Sequence, residues 1–234
     1  TFNRWFQELS DNPPDVLLGA NFAEYGGVRA HLHAIQKYST LNIGFAPPDE
    51  LLSNGLTPYD FNTTFNQNFL DFPAGKIKVG HSHVFPWFIK WCRAQQQHGM
   101  RWVHTYHNMY FPEFSATGEL EQWQIDVNTA LIEDARHADA RLSVSRWQQA
   151  YLRDEYGIET EYVPNGVDVD ICDAGNAERF RKRWNLRHFV LYVGRNDPVK
   201  NPADFVRLAH RLPKETFVMI GGGLTAAAIQ TDWR

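Results

Sequence analysis

The chain has 234 residues, a formal net charge of −4 and a sequence pI near 6.2. This charge balance excludes the basic footprint typical of nucleic-acid binding and the polybasic surface that attracts proteins to anionic lipids. No apolar run is long enough to form a transmembrane segment, and Cys92 and Cys172 suggest neither a disulfide framework nor a metal cluster. We therefore expect a reduced, cytoplasmic setting, with a peripheral position at a membrane as the alternative.

Short β-rich runs alternate with amphipathic helical stretches, which is the pattern of a parallel sheet covered by helices. After a short helix or linker over the first ten residues, strands are predicted over residues 15–20, 41–45, 76–83, 101–106, 141–145, 161–163, 189–193 and 217–220. Helices are predicted over residues 28–38, 87–94, 119–136, 147–156, 177–184 and 202–212. Residues 46–75 lack clear periodicity and are predicted as a loop region with a little local structure, and Ser145 is predicted to cap the helix that follows it.

Two cations follow one of the predicted strands. Arg195 stands directly after the run that ends in Val193-Gly194, and Lys200 comes five positions later. Fixed cations at the carboxyl end of a buried strand make a site for a diphosphate or a similar anion. A leaving diphosphate needs either such cations or a metal, and no Asp-x-Asp metal motif stands in a suggestive position. The alternative is a pair of solvated surface charges.

Glycines occupy two turns that follow strands. Gly26 and Gly27 open the first predicted helix, where glycine lets the backbone approach a ligand and free N–H groups favour an anion. A Gly-Gly pair also occurs in simple tight turns. Gly221-Gly222-Gly223 follows the last strand without the GxGxxG spacing, so a dinucleotide site of that type is not supported.

Histidines gather at the ends of two consecutive strands. His81 and His83 lie two residues apart and therefore share one face of their strand. That spacing would suit a metal, but the sequence names no third ligand, and no metal is predicted. His104 and His107 follow on the next strand, and hydrogen bonds in the core would satisfy His104. The aromatic loop after them contains Tyr110, which could stack on a sugar or pack on a neighbouring helix.

Taken in order, these motifs resemble those of the retaining glycosyltransferases of family 4. The resemblance rests on Glu24-Tyr25-Gly26-Gly27-Val28, His81-x-His83, Thr105-x-His107, Ala138-Asp139, Pro164-Asn165-Gly166-Val167-Asp168, Gly194-Arg195, Lys200-Asn201 and Gly221-Gly222-Gly223. It implies the α/β GT-B fold, with a Rossmann-like parallel-sheet N-terminal domain on the acceptor side. This domain is expected over residues 1–164, with Pro164–Gly166 as the hinge. Residues 165–234 would begin a truncated second Rossmann-like domain for the nucleotide-sugar donor.

The resemblance also implies the reaction. A sugar, hexosyl-like, would pass from a nucleotide-diphosphate sugar to the hydroxyl of a carbohydrate, lipid or protein acceptor, with no metal and no other cofactor. Arg195 and Lys200 would stabilise the leaving phosphate, and His107 would orient the transferred sugar. Further binding roles are implied for the donor-phosphate residues Gly26, Gly27 and Gly222 and for the acceptor-side residues His81, His83 and Tyr110.

The family's paired-glutamate donor motif, Glu then seven residues then Glu, is expected beyond the glycine turn at 221–223. The chain ends at Arg234, so we expect a fragment that is inactive by itself. Two alternatives remain open: a glycoside phosphorylase of the same fold, which dependence on free phosphate would identify, and a non-catalytic sugar- or nucleotide-binding module. A donor motif in downstream sequence would favour the enzyme over the module.

Overall fold

The computed structural model describes residues 2–19, 26–55, 57, 76–115 and 117–225. The chain divides into two compact units, one formed by Thr1–Tyr110 and Glu121–Gly166, the other by Phe111–Leu120 and Val167–Arg234. The predicted boundary after Pro164 and the roles of the two parts stay predictions. Glu24, Tyr25 and most of the predicted loop region lie outside the described residues.

The first unit is built on a six-stranded parallel sheet with the strand order β2-β1-β3-β4-β5-β6. Its strands are β1 (Val16–Gly19), β2 (Ile43–Ala46), β3 (Val79–Ser82), β4 (Arg101–Tyr106), β5 (Ala140–Ser143) and β6 (Glu161–Tyr162). Each coincides with a predicted strand or lies mostly within one. The prediction of a Rossmann-like parallel-sheet domain is therefore confirmed.

Helices connect these strands. They are α1 (Phe2–Asp11), α2 (Gly27–Tyr38), α3 (Asp49–Ser53), α4 (Pro86–Gln96), α5 (Gln122–Thr129) and α6 (Arg146–Tyr156). The predicted cap of α6 is confirmed, because the Ser145 hydroxyl accepts a hydrogen bond from the Gln148 backbone N–H at 3.1 Å. Helix α3 is a short helix inside the region predicted as loop, and it was not assigned from the sequence because this region lacks clear periodicity. No helix in the described ranges combines the length and the apolar character needed to cross a bilayer.

Both faces of the sheet are covered, and neighbouring residues of β1 show how. Leu17 and Leu18 are both fully buried, but they belong to different hydrophobic clusters because successive strand residues point to opposite faces. Leu17 joins the larger core, which includes Trp102, while Leu18 packs with Leu32 of α2. Fully burying a side chain of this kind stabilises the fold by about 1.5–3 kcal/mol.

The long helix predicted over residues 119–136 has a more complex form. The α-helix begins at Gln122, continues as a π turn over Ala130–Asp134, and ends as a 3-10 turn over Ala135–His137. Inside the π turn, the carbonyl of Leu131 accepts a hydrogen bond from the buried Tyr106 hydroxyl at 3.1 Å. A tertiary contact thus accompanies a wider turn that helical periodicity alone does not reveal.

The second unit contains a parallel pair of strands, β7 (Val190–Val193) and β8 (Phe217–Ile220), joined through α9 (Pro202–Arg211). This confirms the predicted strand-helix-strand arrangement. Two further helices precede it. Helix α7 (Val169–Asp173) was not predicted, whereas α8 (Glu178–Trp184) lies within the helix predicted over residues 177–184. The expectation of a buried strand before Arg195 is wrong for the described residues, because Val193 is 70% exposed and β8 is the one described strand that pairs with β7.

Candidate functional site

The candidate site lies at the carboxyl edge of the six-stranded sheet. Strand β1 pairs with β2 on one side and with β3 on the other, so the chain runs from β1 outward to β2 and then crosses back past β1 to β3. In parallel α/β sheets, the crevice at such a switch point is the usual place for a ligand. Helix α2 follows β1, and His83 and His107 directly follow β3 and β4.

Four histidines cluster at this edge. The rings of His81 and His83 are 4.4 Å apart between centroids, and that of His107 lies 5.2 Å from His83. His31, one turn into α2, completes the group with its ring 4.9 Å from that of His107. Three of the four were identified from the sequence, whereas His31 was missed because it lies far away along the chain.

Hydrogen bonds fix the orientation of these rings. Nδ1 of His83 and Nε2 of His107 are hydrogen-bonded at 3.0 Å, and Nε2 of His81 is hydrogen-bonded to the hydroxyl of Thr105 at 2.8 Å. Thr105 is 2% exposed, so His81 is held by a buried neighbour on the next strand. The Thr-x-His pair at the end of β4 thereby contacts both histidines of the His-x-His pair at the end of β3.

His104 points into the core. It is fully buried, and its Nδ1 is hydrogen-bonded to the Ser82 hydroxyl at 2.8 Å. The same hydroxyl accepts a hydrogen bond from the Trp102 indole N–H at 2.7 Å. His104 is therefore a core residue, as expected, but the hydrogen bond predicted to satisfy it is found for Nδ1 only, because its buried Nε2 has no partner among the described residues.

The cluster is electrically neutral near pH 7. Burial, together with the neighbouring His31 and His107, lowers the pKa of His81 to about 3. Burial and His31 lower the pKa of His107 to about 3, and burial keeps the pKa of His83 well below its ordinary value. Neutral imidazoles both donate and accept hydrogen bonds, so this surface suits an uncharged polar ligand such as a sugar hydroxyl.

Gly26, Gly27 and Tyr110 are the remaining predicted site residues of the first unit, and they lie outside the histidine cluster. Gly26 precedes the first turn of α2 with φ 154°, a conformation that favours glycine, and no atom of the described residues lies within 4 Å of a Cβ placed at Gly26 or Gly27. Tyr110 is held by hydrogen bonds between its backbone and the Asn128 side chain, and its ring packs edge-on against Trp123 at 4.9 Å.

The predicted anion-binding residues other than Gly26 and Gly27 lie in the second unit. Arg195 follows β7 with a 63% exposed side chain, and it forms an ion pair with Asp197 at 2.9 Å. This ion pair was not predicted from the sequence. Lys200 is exposed in a 3-10 turn, where its carbonyl accepts a hydrogen bond from the Tyr192 hydroxyl at 3.1 Å. Gly222 follows β8, and within the described ranges no atom lies within 4 Å of a Cβ placed there.

The sequence profile described as Glycosyltransferase Family 4 matches residues 48–171, more than half of the chain. The chain belongs to glycosyltransferase family 4. The prediction of this family from the ordered motifs is thereby confirmed.

Two curated relatives are similar to this family 4 chain, and both are named D-inositol 3-phosphate glycosyltransferase. The protein of Mycobacteroides abscessus is 28% identical over 190 residues, covering 72% of this chain and 41% of the relative. That of Acidothermus cellulolyticus is 33% identical over 163 residues, covering 63% of this chain and 36% of the relative. The chain thus spans less than half the length of the curated relatives it matches.

Among solved structures, the sucrose-phosphate synthase of Thermosynechococcus elongatus superposes with a TM-score of 0.63 at 19% identity. The match covers 88% of this family 4 chain and 62% of the synthase. At this identity the similarity supports the fold alone. Together with the six-stranded parallel sheet, it confirms the predicted α/β fold of GT-B type.

Proposed function

We propose that the chain contributes to a retaining, metal-independent transfer of a sugar from a nucleotide-diphosphate sugar to an acceptor hydroxyl. The observation that carries this proposal is the neutral histidine cluster at the sheet's carboxyl edge, where Thr105 and His107 of the Thr-x-His pair contact His81 and His83. Family membership supplies the reaction class.

In the proposed reaction, the bond between the anomeric carbon and the phosphate oxygen breaks while the acceptor oxygen bonds to that carbon on the same face. The acceptor's proton passes to the leaving phosphate oxygen, so the configuration is retained. His107 orients a hydroxyl of the transferred sugar, for which a neutral imidazole is suited at pH 7. His81, His83 and Tyr110 are assigned to the acceptor side.

Arg195 and Lys200 are proposed to stabilise the negative charge of the leaving diphosphate. The ion pair between Arg195 and Asp197 does not oppose this role, because exposed ion pairs stabilise proteins by only about 0–1 kcal/mol. A charge-assisted hydrogen bond to phosphate contributes about 1.5–3 kcal/mol, so exchanging Asp197 for a diphosphate is favourable. Gly26, Gly27 and Gly222 are assigned to the donor phosphates, since a glycine lets a ligand approach the backbone closely.

Calorimetric titration with UDP and GDP tests the anion site. The Arg195→Ala, Lys200→Ala double variant should bind at least about 10-fold more weakly than the natural sequence, which corresponds to one lost charged hydrogen bond. Arg187→Ala, which removes another exposed arginine of the second unit, is the matched control and should bind normally. Equal affinity of the double variant would refute the assignment.

Turnover is measured with a longer polypeptide that contains this chain and spans the length of its relatives, in parallel with the 234-residue chain. We expect nucleotide release and a product of retained configuration from the longer polypeptide, loss of both in its His107→Ala variant, and no turnover by the 234-residue chain. The acceptor panel includes sugars, lipids, proteins and a phosphorylated polyol such as the one in the relatives' name.

A glycoside phosphorylase is the second candidate, because Arg195 and Lys200 would suit inorganic phosphate as well as a diphosphate. Activity that depends on free phosphate rather than on a nucleotide sugar would favour it. A non-catalytic sugar- or nucleotide-binding module is the third, and binding without turnover by the longer polypeptide would favour that function.

A further inference from the structure

Three histidines from separate segments of the first unit converge on one small volume. His31 comes from α2, and His83 and His107 follow β3 and β4, with one ring nitrogen from each lying within 4.8 Å of the others. We propose that these three side chains form a binding site for a divalent transition-metal ion of the Zn²⁺ class.

The spacing is close to that of a coordinated set. Zn–N bonds of about 2.0–2.1 Å place neighbouring nitrogens of a tetrahedral site about 3.4 Å apart. Nδ1 of His83 and Nε2 of His107 are already 3.0 Å apart. The widest separation, at most 4.8 Å, has to close by up to about 1.4 Å, which rotation of an imidazole about its side-chain bonds can supply.

His31 has a buried ring nitrogen that lacks a partner. Within the described part of the chain, Nε2 of His31 forms no hydrogen bond, whereas His83 would coordinate through the Nδ1 that now bonds to His107. His83 itself is only 1% exposed, so water does not readily reach its ring. Buried polar atoms without partners are rare in proteins, and a metal ion would accept the electron pair that such a nitrogen offers.

The chemistry of the ligands selects the metal. Imidazole nitrogen suits Zn²⁺, Co²⁺, Ni²⁺ and Cu²⁺, whereas Mg²⁺ and Ca²⁺ prefer oxygen. The converging group found among the described residues contains three histidines and no carboxylate. Three protein ligands leave the fourth position of a tetrahedral ion open to water or to a ligand hydroxyl.

The site shares His107 with the proposed transferase function, although it does not depend on that function. A ring nitrogen that coordinates a metal is no longer available to orient a sugar hydroxyl. The metal-bound chain is therefore expected to lose the sugar-binding role of His107, while metal binding itself can be measured without any substrate.

Titration of the metal-stripped chain with Zn²⁺ by calorimetry tests the proposal, and Co²⁺ serves as a spectroscopic probe. We expect one saturable Zn²⁺ site, no comparable binding of Mg²⁺, and the visible absorption bands of four-coordinate Co²⁺. His31→Asn and His107→Asn should each weaken Zn²⁺ binding by at least about 10-fold. Mutation of residues that only hydrogen-bond to metal ligands already lowers metal affinity by about that much.

His33→Asn is the matched control, because His33 lies on the same helix two residues from His31 but outside the converging group. It should bind Zn²⁺ as the natural sequence does. Circular dichroism of each variant separates loss of a ligand from loss of the fold. The proposal would be overturned if the chain showed no saturable Zn²⁺ binding. It would also be overturned if the folded His31 and His107 variants bound Zn²⁺ as tightly as the natural sequence.

Discussion

Gly221→Ala is expected to break the junction between β7 and β8. A Cβ atom at Gly221 would overlap the carbonyl oxygen of Gly194 and lie 2.5 Å from its carbonyl carbon. Both are backbone atoms, so no side-chain rotation can relieve the overlap. The ends of the two strands must therefore move apart.

The cost follows from the hydrogen bonds at this junction. The Gly194 N–H donates to the Ile220 carbonyl at 3.0 Å, and the Asn196 N–H donates to the Gly222 carbonyl at 2.9 Å. Each such bond contributes about 0.5–1.5 kcal/mol net, so losing both lowers the free energy of unfolding of the second unit by about 1–3 kcal/mol. Because Ile220 is 44% exposed, we expect the separated groups to reach water without a large further penalty.

Gly222→Ala is the neighbouring control, since its Cβ would have no neighbour within 4 Å in the part of the chain that the structure describes. It should change the free energy of unfolding by no more than about 0.5 kcal/mol. The measurements are urea unfolding and amide hydrogen exchange of Val190–Val193, which should accelerate only in the Gly221 variant. Exchange at the wild-type rate in Gly221→Ala, or equal damage in both variants, would refute the reasoning.

Three further predictions concern the first unit and the thiols. Iodoacetamide should modify the exposed Cys172 and spare Cys92 in the native chain, because Cys92 is buried and burial raises the pKa of its thiol; equal labelling by mass spectrometry would contradict this. Burial keeps the pKa of His104 well below 6.5, so the unfolded chain takes up a proton that the folded chain does not. The contribution of neutral His104 to the free energy of unfolding is therefore complete above about pH 6.5 and is lost as the pH falls. In urea unfolding across pH 7.5–5, His104→Gln should make the fall of this free energy with pH shallower by up to about 1.4 kcal/mol per pH unit. Thr105→Val leaves Nε2 of His81 without its hydroxyl partner and should lower the free energy of unfolding by about 1–3 kcal/mol. Thr105→Ser keeps a hydroxyl and should retain most of this free energy. Equal loss in both variants would exclude the hydrogen bond as the cause.

Strands and most helices of this chain were predictable because their signals are local. The β-branched runs and the apolar positions at helical spacing are set within a few residues, as for Val28, Leu32 and Ile35 of α2, of which Leu32 is buried. The cap at Ser145 was equally local, since its hydroxyl bonds to a backbone N–H only three residues away. Such features depend on nearest neighbours in sequence.

Other features were not predictable because partners distant in the sequence decide them. The π turn at Ala130–Asp134 accompanies a hydrogen bond from Tyr106, which comes from a different strand. The exposure of β7 depends on which strands flank it, and no pattern within Val190–Val193 distinguishes it from a buried strand. The apolar residues of β7 predicted a buried strand, but among the described residues β7 pairs with β8 alone and is exposed.

The place of His31 in the cluster was missed for a different reason, because the information was present but spread over the chain. Metal-site spacing rules compare residues on one element, and by that rule His81 and His83 have no third partner. The order β2-β1-β3-β4 brings the start of α2, which follows β1, beside the carboxyl ends of β3 and β4. Once β1 is placed next to β3, the first turns of α2 become the region to search for a further histidine of the cluster, and His31 lies there. A predicted strand order therefore locates such a residue where linear spacing cannot.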